Sequence, residues 1–179
     1  MVLCHPHPRF GGSMRTVVID ALFKALPGHG VRCLRFNFRG VEGSEGAYGA
    51  GIDERLDALA AVEVLDDALP PGAPLVLAGW SFGGDVALSV RDTRVAAWLA
   101  IAPPLRFVDD VAGLATDPRP KLVALAQHDE VRSPDEVCPE IESWKATEVQ
   151  VVPGASHLFV GRTDHLVDLA AAFVDSLAG

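Results

Sequence analysis

Short apolar runs alternate with longer amphipathic segments along the chain. The runs predict six β-strands, near residues 2–4, 32–37, 75–78, 95–101, 121–126 and 149–152. Within two of them, Leu75–Ala78 and Leu122–Leu125 are apolar throughout, which is typical of strands buried on both faces. Strands that alternate with helices predict an α/β fold, in which helices cover a mostly parallel sheet of about six strands.

The segments between the runs carry helical periodicity. One stripe has apolar residues three or four positions apart and consists of Ile52, Leu56, Leu59, Val62, Leu65 and Leu69. A C-terminal stripe consists of Leu166, Leu169, Phe173 and Leu177. Further helices are predicted near 14–26 and 84–91. Proline- and glycine-rich breakers separate elements rather than domains, so we expect one domain, 1–179.

One glycine-flanked serine stands out. Gly79-Trp80-Ser81-Phe82-Gly83 matches G-x-S-x-G, and it lies between the buried strand 75–78 and a predicted helix. That strand–turn–helix context is the one a nucleophile elbow requires. A Cβ atom at either flanking glycine would collide with a neighbouring element. The sequence therefore predicts Ser81 as a nucleophile, and a glycine-rich turn with an incidental serine is the alternative.

A serine nucleophile needs a base and an acid to orient that base. His157 follows the last predicted strand by a short loop and is the candidate base. Asp129 follows strand 121–126 and is the candidate acid, with Glu130 and then Asp135 as competitors. The order Ser81, Asp129, His157 is the order that α/β-hydrolases use. The remaining candidate histidines are less well placed, namely His29, His128 and His165.

Two backbone N–H groups are expected to form an oxyanion hole. One belongs to Phe82, directly after the nucleophile. The other is expected in the loop after the first strand, where Pro6 and Pro8 have no N–H, so His7 is the first choice and Arg9 the second. Two histidines in this loop are too few to predict a metal site.

Composition and charge exclude several functions. Apolar residues make up 49% of the chain, charged residues make up 22%, and the net charge is −9. That charge argues against a nucleic-acid partner. Three scattered cysteines indicate neither a disulfide framework nor a zinc site. We find no signal-peptide pattern and no membrane span, and we expect a cytoplasmic protein without a cofactor.

The chain resembles small bacterial α/β-hydrolases of the dienelactone-hydrolase-like group. The resemblance covers nearly the whole length, and it implies a Ser-His-Asp hydrolase with Ser81, Asp129 and His157 as its triad. Dienelactone hydrolase itself has cysteine at the elbow, so its substrate does not transfer to a chain with Ser81. Four blocks carry the resemblance: His5–Pro8 with Gly11–Met14, Arg35–Gly40 with Gly43–Gly46, Gly79–Gly84, and Gly154–His157.

The chain departs from the family pattern in two places, and each departure leads to a structural prediction. The usual first two strands are lacking before the His-Pro-His-Pro block, which indicates either a shortened chain or a start that lies upstream, and their loss leaves strand 32–37 at a sheet edge. An apolar edge with Leu34, Phe36 and Phe38 predicts self-association or low solubility. The stretch 102–120 has room for a loop with a helical turn at 107–111, and not for a large cap domain.

The predicted activity is hydrolysis of carboxylic esters, with short acyl groups preferred at an open site. Trp80, Phe82, Phe107, Leu158 and Phe159 are candidate apolar walls, and Arg9 and Phe10 are candidates for its border. A thioesterase or peptidase with the same triad is one alternative. A non-catalytic binding protein on a hydrolase fold is another.

Overall fold

The computed structural model describes residues 1–177 and contains a six-stranded sheet. The strand order is β2-β1-β3-β4-β5-β6, and every neighbouring pair is parallel. The predicted α/β fold with about six strands is therefore confirmed. The strands are β1 (Val2–Cys4), β2 (Leu34–Arg35), β3 (Leu75–Trp80), β4 (Val95–Ile101), β5 (Lys121–His128) and β6 (Thr147–Ser156).

Helices cover both faces of the sheet and give the fold three layers. Short 3₁₀ turns at Pro8–Phe10 and Leu26–His29 follow β1 and α1. The helices are α1 (Val17–Ala25), α2 (Glu54–Ala68), α3 (Phe82–Ser89), α4 (Val111–Thr116), α5 (Pro134–Ile141) and α6 (Thr163–Ser176). None of these helices is both long and apolar enough to cross a membrane.

Side-chain alternation along the strands divides the core in two. In β3, Val76 and Ala78 pack on the face that α1 and α6 cover, whereas Leu75 and Leu77 pack on the face that α2 and α3 cover. Since successive side chains of a strand point to opposite faces, both sets must be apolar. This explains why the sequence of β3 is apolar without interruption.

The predicted stripe of α2 is partly wrong. Ile52 and Leu56 are 63% and 60% exposed, so the apolar positions at its start do not face the core. The buried positions of α2 are Glu54, Ala58, Ala61, Val62 and Leu65. Small alanine side chains let the helix approach the sheet closely. Because alanine is only weakly hydrophobic, these positions stand out less in the apolar periodicity of the sequence than the larger residues beside them.

Strand β2 is shorter than the predicted 32–37. It pairs through Leu34 and Arg35 alone, opposite Val2 and Leu3 of the three-residue β1. The chain beyond Arg35 leaves the sheet, and Phe38 is fully buried beneath α2 and α3 rather than exposed on the edge. The β2 edge of the sheet therefore has only a two-residue strand, which is followed by the half-buried Phe36.

The connection between β4 and β5 forms no large cap domain. Its helix is α4 at 111–116, which begins where the helical turn predicted at 107–111 was expected to end. Asp110 caps this helix by accepting a hydrogen bond from the Gly113 N–H at 3.0 Å. The residues before it, 104–107, have no regular secondary structure and lie beside Phe82 at the start of α3.

Candidate active site

Ser81 lies on a strained turn between β3 and α3. Its φ is +54°, a conformation that costs free energy for any residue with a Cβ atom. The turn is held in place because the Ser81 N–H donates to the carbonyl of Ile101 in β4 at 2.8 Å. Helix α3 begins at the next residue, so its positive end lies beside the Ser81 hydroxyl.

The glycines that flank the serine are required by close backbone contacts. A Cβ atom on Gly79 would lie 2.1 Å from the carbonyl oxygen of Gly83. A Cβ atom on Gly83 would lie 2.3 Å from the carbonyl oxygen of Cys4 and 2.4 Å from that of His5. These distances are far inside van der Waals contact, which is the collision that the sequence predicted at both positions.

His157 follows β6 and reaches the serine. Its Nε2 atom is 3.0 Å from Ser81 Oγ, and its side chain is 10% exposed. The indole N–H of Trp80 donates to the His157 carbonyl at 3.1 Å, so the strand that precedes the serine also fixes the histidine backbone. The predicted nucleophile and base are therefore within hydrogen-bond distance of each other.

Asp129, directly after β5, contacts the other imidazole nitrogen. Its two carboxylate oxygens lie 2.9 and 3.0 Å from His157 Nδ1. The N–H groups of Val131 and Arg132 also donate to Asp129 Oδ1. Burial by itself would raise the pKa of Asp129, but these hydrogen bonds and the imidazole together lower it below its ordinary value. The carboxyl group is therefore ionised near neutral pH and accepts the Nδ1 proton.

The competing acids lie elsewhere. Glu130 accepts the backbone N–H of His157 at 3.1 Å, so its carboxylate supports the histidine main chain and not the ring. Asp135 is an exposed residue of α5. The structure thus brings Asp129, and neither competitor, to the imidazole.

His7 lies at the rim of the elbow. Its ring packs against that of Phe82, with 4.9 Å between centroids. The Arg9 N–H donates to His7 Nδ1 at 3.2 Å, so the fallback oxyanion donor is already engaged. Because Nδ1 is an acceptor, the proton of the neutral ring is on Nε2, which donates to the Tyr48 hydroxyl at 3.0 Å.

His5 has a role in this loop that its sequence context did not predict. Its buried ring donates from Nδ1 to the Pro6 carbonyl at 2.7 Å and accepts at Nε2 from the Phe38 N–H at 3.0 Å. Burial lowers the pKa of His5 to about 4, so the ring is neutral and keeps this tautomer. The imidazole ties the loop after β1 to the chain after β2. Nothing in the local spacing of the sequence signals this long-range bond.

A pocket of about 530 Å³ opens beside the serine. Of the predicted walls, Trp80, Phe82, Phe107 and Leu158 line it, whereas Phe159 is fully buried in the core. Phe10 lines the pocket as expected and is 87% exposed, but Arg9 does not line it. The additional lining residues are Pro6, His7, Gly11, Gly12, Thr16, Val17, Pro104, Arg106, Val131 and His157, with Ser81 itself.

The remaining histidines do not approach the serine. His29, His128 and His165 are all exposed. Among residues 1–177, no three side chains of His, Cys, Asp or Glu gather closely enough to hold a metal ion. Together, Ser81, His157 and Asp129 supply a serine, an imidazole and a carboxylate in hydrogen-bond contact.

Comparisons with known proteins agree with this geometry. The structure of an α/β serine hydrolase homologue from Coxiella burnetii superimposes with a TM-score of 0.86 at 35% identity, over 96% of this chain and 82% of that one. An α/β serine hydrolase without a lid from Xanthomonas campestris superimposes with a TM-score of 0.78 at 30% identity, over 97% and 78%.

A similar sequence, without a described activity, occurs in Rickettsia prowazekii. It is 31% identical over 173 residues, which are 91% of this chain and 73% of the relative. No protein-family model matches this sequence. The two hydrolase structures share the fold and more than a quarter of their residues with this chain over nearly its whole length. This chain therefore belongs to the α/β serine hydrolases, and it is a hydrolase.

Proposed function

We propose that the protein hydrolyses carboxylic esters through a covalent acyl-enzyme formed on Ser81. The observation that carries the proposal is the continuous hydrogen-bond chain from Asp129 through His157 to Ser81, with separations of 2.9 to 3.0 Å, at the wall of a pocket. A serine hydroxyl becomes a competent nucleophile when a positioned base removes its proton.

The tautomer of His157 suits it to act as that base. Asp129 is ionised and accepts only, so the imidazole proton is on Nδ1 and Nε2 presents a lone pair to the hydroxyl. As Ser81 Oγ attacks the ester carbonyl, its proton passes to Nε2. The imidazolium then protonates the leaving alcohol, and the acyl group stays on Ser81.

Water completes the cycle. His157 takes a proton from a water molecule that attacks the acyl-enzyme, and it returns that proton to Ser81 Oγ as the carboxylic acid leaves. The backbone N–H groups of Phe82 and His7 are the proposed donors to the tetrahedral oxyanion. The contact between the Phe82 and His7 rings supports this pairing, since it joins the two backbone segments.

The predominantly apolar walls suit a short acyl group. Phe107, Trp80 and Leu158 supply apolar contact beside Ser81, whereas Arg106 is the charged side chain in the lining. A pocket of this volume accommodates an acyl group together with part of the alcohol. The substrates proposed are therefore small, neutral esters.

Replacement of the nucleophile tests the proposal. Ser81→Ala is expected to abolish hydrolysis of p-nitrophenyl acetate and to leave the melting temperature nearly unchanged, because the removed hydroxyl contributes one side-chain hydrogen bond. Ser176→Ala, at an exposed serine at the end of α6 outside the pocket lining, is the matched control and should retain activity. Hydrolysis by Ser81→Ala close to that of the wild type would overturn the assignment.

A substrate panel separates esters from other acyl compounds. Acyl thioesters and aminoacyl amides present the same carbonyl to the same three residues. We expect kcat/KM to be largest for p-nitrophenyl esters when acyl groups of equal length are compared. A larger value for thioesters or amides would assign the chain to a thioesterase or a peptidase.

A further inference from the structure

A buried carboxylate lies outside the proposed catalytic residues. Asp85 is on α3, four residues after Ser81, and is fully buried. Its carboxylate accepts three backbone N–H groups, from Leu105 at 2.9 Å, Arg106 at 2.8 Å and Phe107 at 3.0 Å. Burying a charge is costly unless it is fully hydrogen-bonded, so this group stays in place only while those amides surround it.

The amides belong to the wall of the pocket. We call residues 104–107 the wall segment, and three of its members, Pro104, Arg106 and Phe107, line the pocket beside Ser81. The segment has no regular secondary structure, and Leu105 has a φ of +55°. A chain in this conformation is not held by a helix or a sheet ladder, so it depends on side chains for its hydrogen bonds.

A second side chain also holds the wall segment. The Arg132 guanidinium donates to the Pro104 carbonyl at 2.6 Å and pairs with Glu140. Through its backbone N–H, Arg132 also donates to Asp129 at 3.1 Å. The wall segment is thus fixed to the helix that follows Ser81 and to the loop that carries Asp129.

The wall segment in turn contacts the proposed oxyanion residues. The ring of Phe107 packs edge-on against that of Phe82, with 5.1 Å between centroids, and lies 5.8 Å from that of His7. A displacement of the segment would move an apolar wall and would loosen the packing around both rings.

We propose that Asp85 is a positioning residue that fixes the wall segment and thereby sets the acyl-group selectivity of the site. This inference rests on the proposed ester hydrolysis. A carboxylate suits the role because it accepts all three N–H groups and donates none. An asparagine in its place would direct NH₂ hydrogens at one of the amides and leave that amide unpaired.

Amide hydrogen exchange tests whether Asp85 restrains the wall segment, and it does so without measuring activity. In Asp85→Asn we expect the protection of the Leu105, Arg106 and Phe107 amides to fall about tenfold, in proportion to a lost buried hydrogen bond. Asp117→Asn is the matched control. Its carboxylate also accepts a backbone N–H and lies before β5, at the opposite edge of the sheet. Unchanged protection in Asp85→Asn would overturn the proposal.

Acyl selectivity tests the consequence for the substrate. The ratio of kcat/KM for p-nitrophenyl butyrate to that for the acetate is expected to fall at least fivefold in Asp85→Asn, because the longer acyl group contacts the wall more extensively. In Asp117→Asn the ratio should stay within twofold of the wild type. A partly unfolded sample lowers both rates equally and leaves this ratio unchanged.

Hydrogen exchange and acyl selectivity test different parts of the proposal, so either result can contradict its own part alone. Lost protection with an unchanged ratio would show that the segment does not set selectivity and would overturn that part of the proposal. A wild-type protein that hydrolyses neither ester would overturn the proposed function, while hydrogen exchange would still decide the role of Asp85 in holding the segment. Should Asp85→Asn not fold, Asp85→Glu retains the charge, displaces it by one methylene, and is expected to give the same two effects.

Discussion

At the scale of single residues, the proposed chemistry depends on which imidazole nitrogen of His157 carries the proton. The carboxylate of Asp129 fixes it on Nδ1, whereas Glu130 holds the backbone of the same residue. Two adjacent acids therefore act on one histidine at different atoms. The sequence favoured Asp129 and left Glu130 as a competitor, because what distinguishes them is the direction of the side chains.

This difference gives a matched pair of variants. Asp129→Asn is expected to lower kcat on the order of 10⁴-fold, since an amide favours the wrong tautomer of His157. In Glu130→Gln the amide oxygen can still accept the His157 N–H, so we expect kcat to stay within about tenfold of the wild type. Steady-state kinetics with p-nitrophenyl acetate measures both. A larger loss in Glu130→Gln than in Asp129→Asn would assign the orienting role to Glu130.

His5 makes the stability of the fold depend on pH. Folding lowers its pKa from an ordinary 6.5 to about 4, so the stability it provides is complete above pH 6.5 and is lost as the pH falls through 4. The full loss is on the order of 3 kcal/mol. Burial raises the pKa of Asp85 to about 6, and this shift has the opposite effect on stability. Its contribution to the free energy of unfolding is present at low pH and is lost as the pH rises through 6.

Comparison with a His5 variant isolates the histidine. His5→Gln removes the titrating group, so we expect it to be less stable than the wild type at neutral pH. The difference in the free energy of unfolding between the wild type and His5→Gln should narrow as the pH falls below 6.5. Urea unfolding at several pH values measures both proteins. A difference that stays constant with pH would contradict the neutral buried ring.

At the scale of elements, apolar runs predicted the positions of the six strands, although β2 is shorter and β6 longer than predicted, and the strongest prediction was β3 with its glycine-flanked turn. Helix α5 was missed, although Ser133 and Glu136 form a capping box at its start. Pro139 lies inside this helix, where a proline is unfavourable because it lacks the N–H group that a helix interior uses. Helix propensity is a local signal, and here packing of Val137 and Ile141 into the core outweighs it.

Association through the β2 edge stays a prediction at this scale. The paired part of the edge has two residues, and short edge strands are poor templates for pairing. A groove beside it is lined by Leu34, Phe36 and the 60% exposed Val64. These apolar side chains lie on or beside the predicted edge, where a second copy of the chain could contact them.

Sedimentation at several concentrations tests this association. If copies pair along the edge, the average mass should rise with concentration, and Val64→Lys should lower it by adding a charge beside the groove. Ile52→Lys is the control, because Ile52 is equally exposed but does not line the groove. A wild-type protein that is a monomer at all concentrations would contradict the association.

At the scale of the whole molecule, parallel strands explain why Ser81, Asp129 and His157 meet. Each follows the carboxyl end of a strand, and these ends share one edge of the sheet. Motif and chain order could therefore predict the three residues. Four of the predicted wall residues line the pocket, but the course of the wall segment could not be predicted in the same way, because Leu105 within it adopts a positive φ angle that only the surrounding contacts select.

The most direct test of the account is the site at which a fluorophosphonate reacts. An activated serine attacks phosphorus, so mass spectrometry of the digested protein should place the adduct on Ser81. The label should be lost in His157→Ala, because no base then removes the hydroxyl proton. Labelling at a different residue, or labelling at Ser81 that is undiminished without His157, would contradict the central claim.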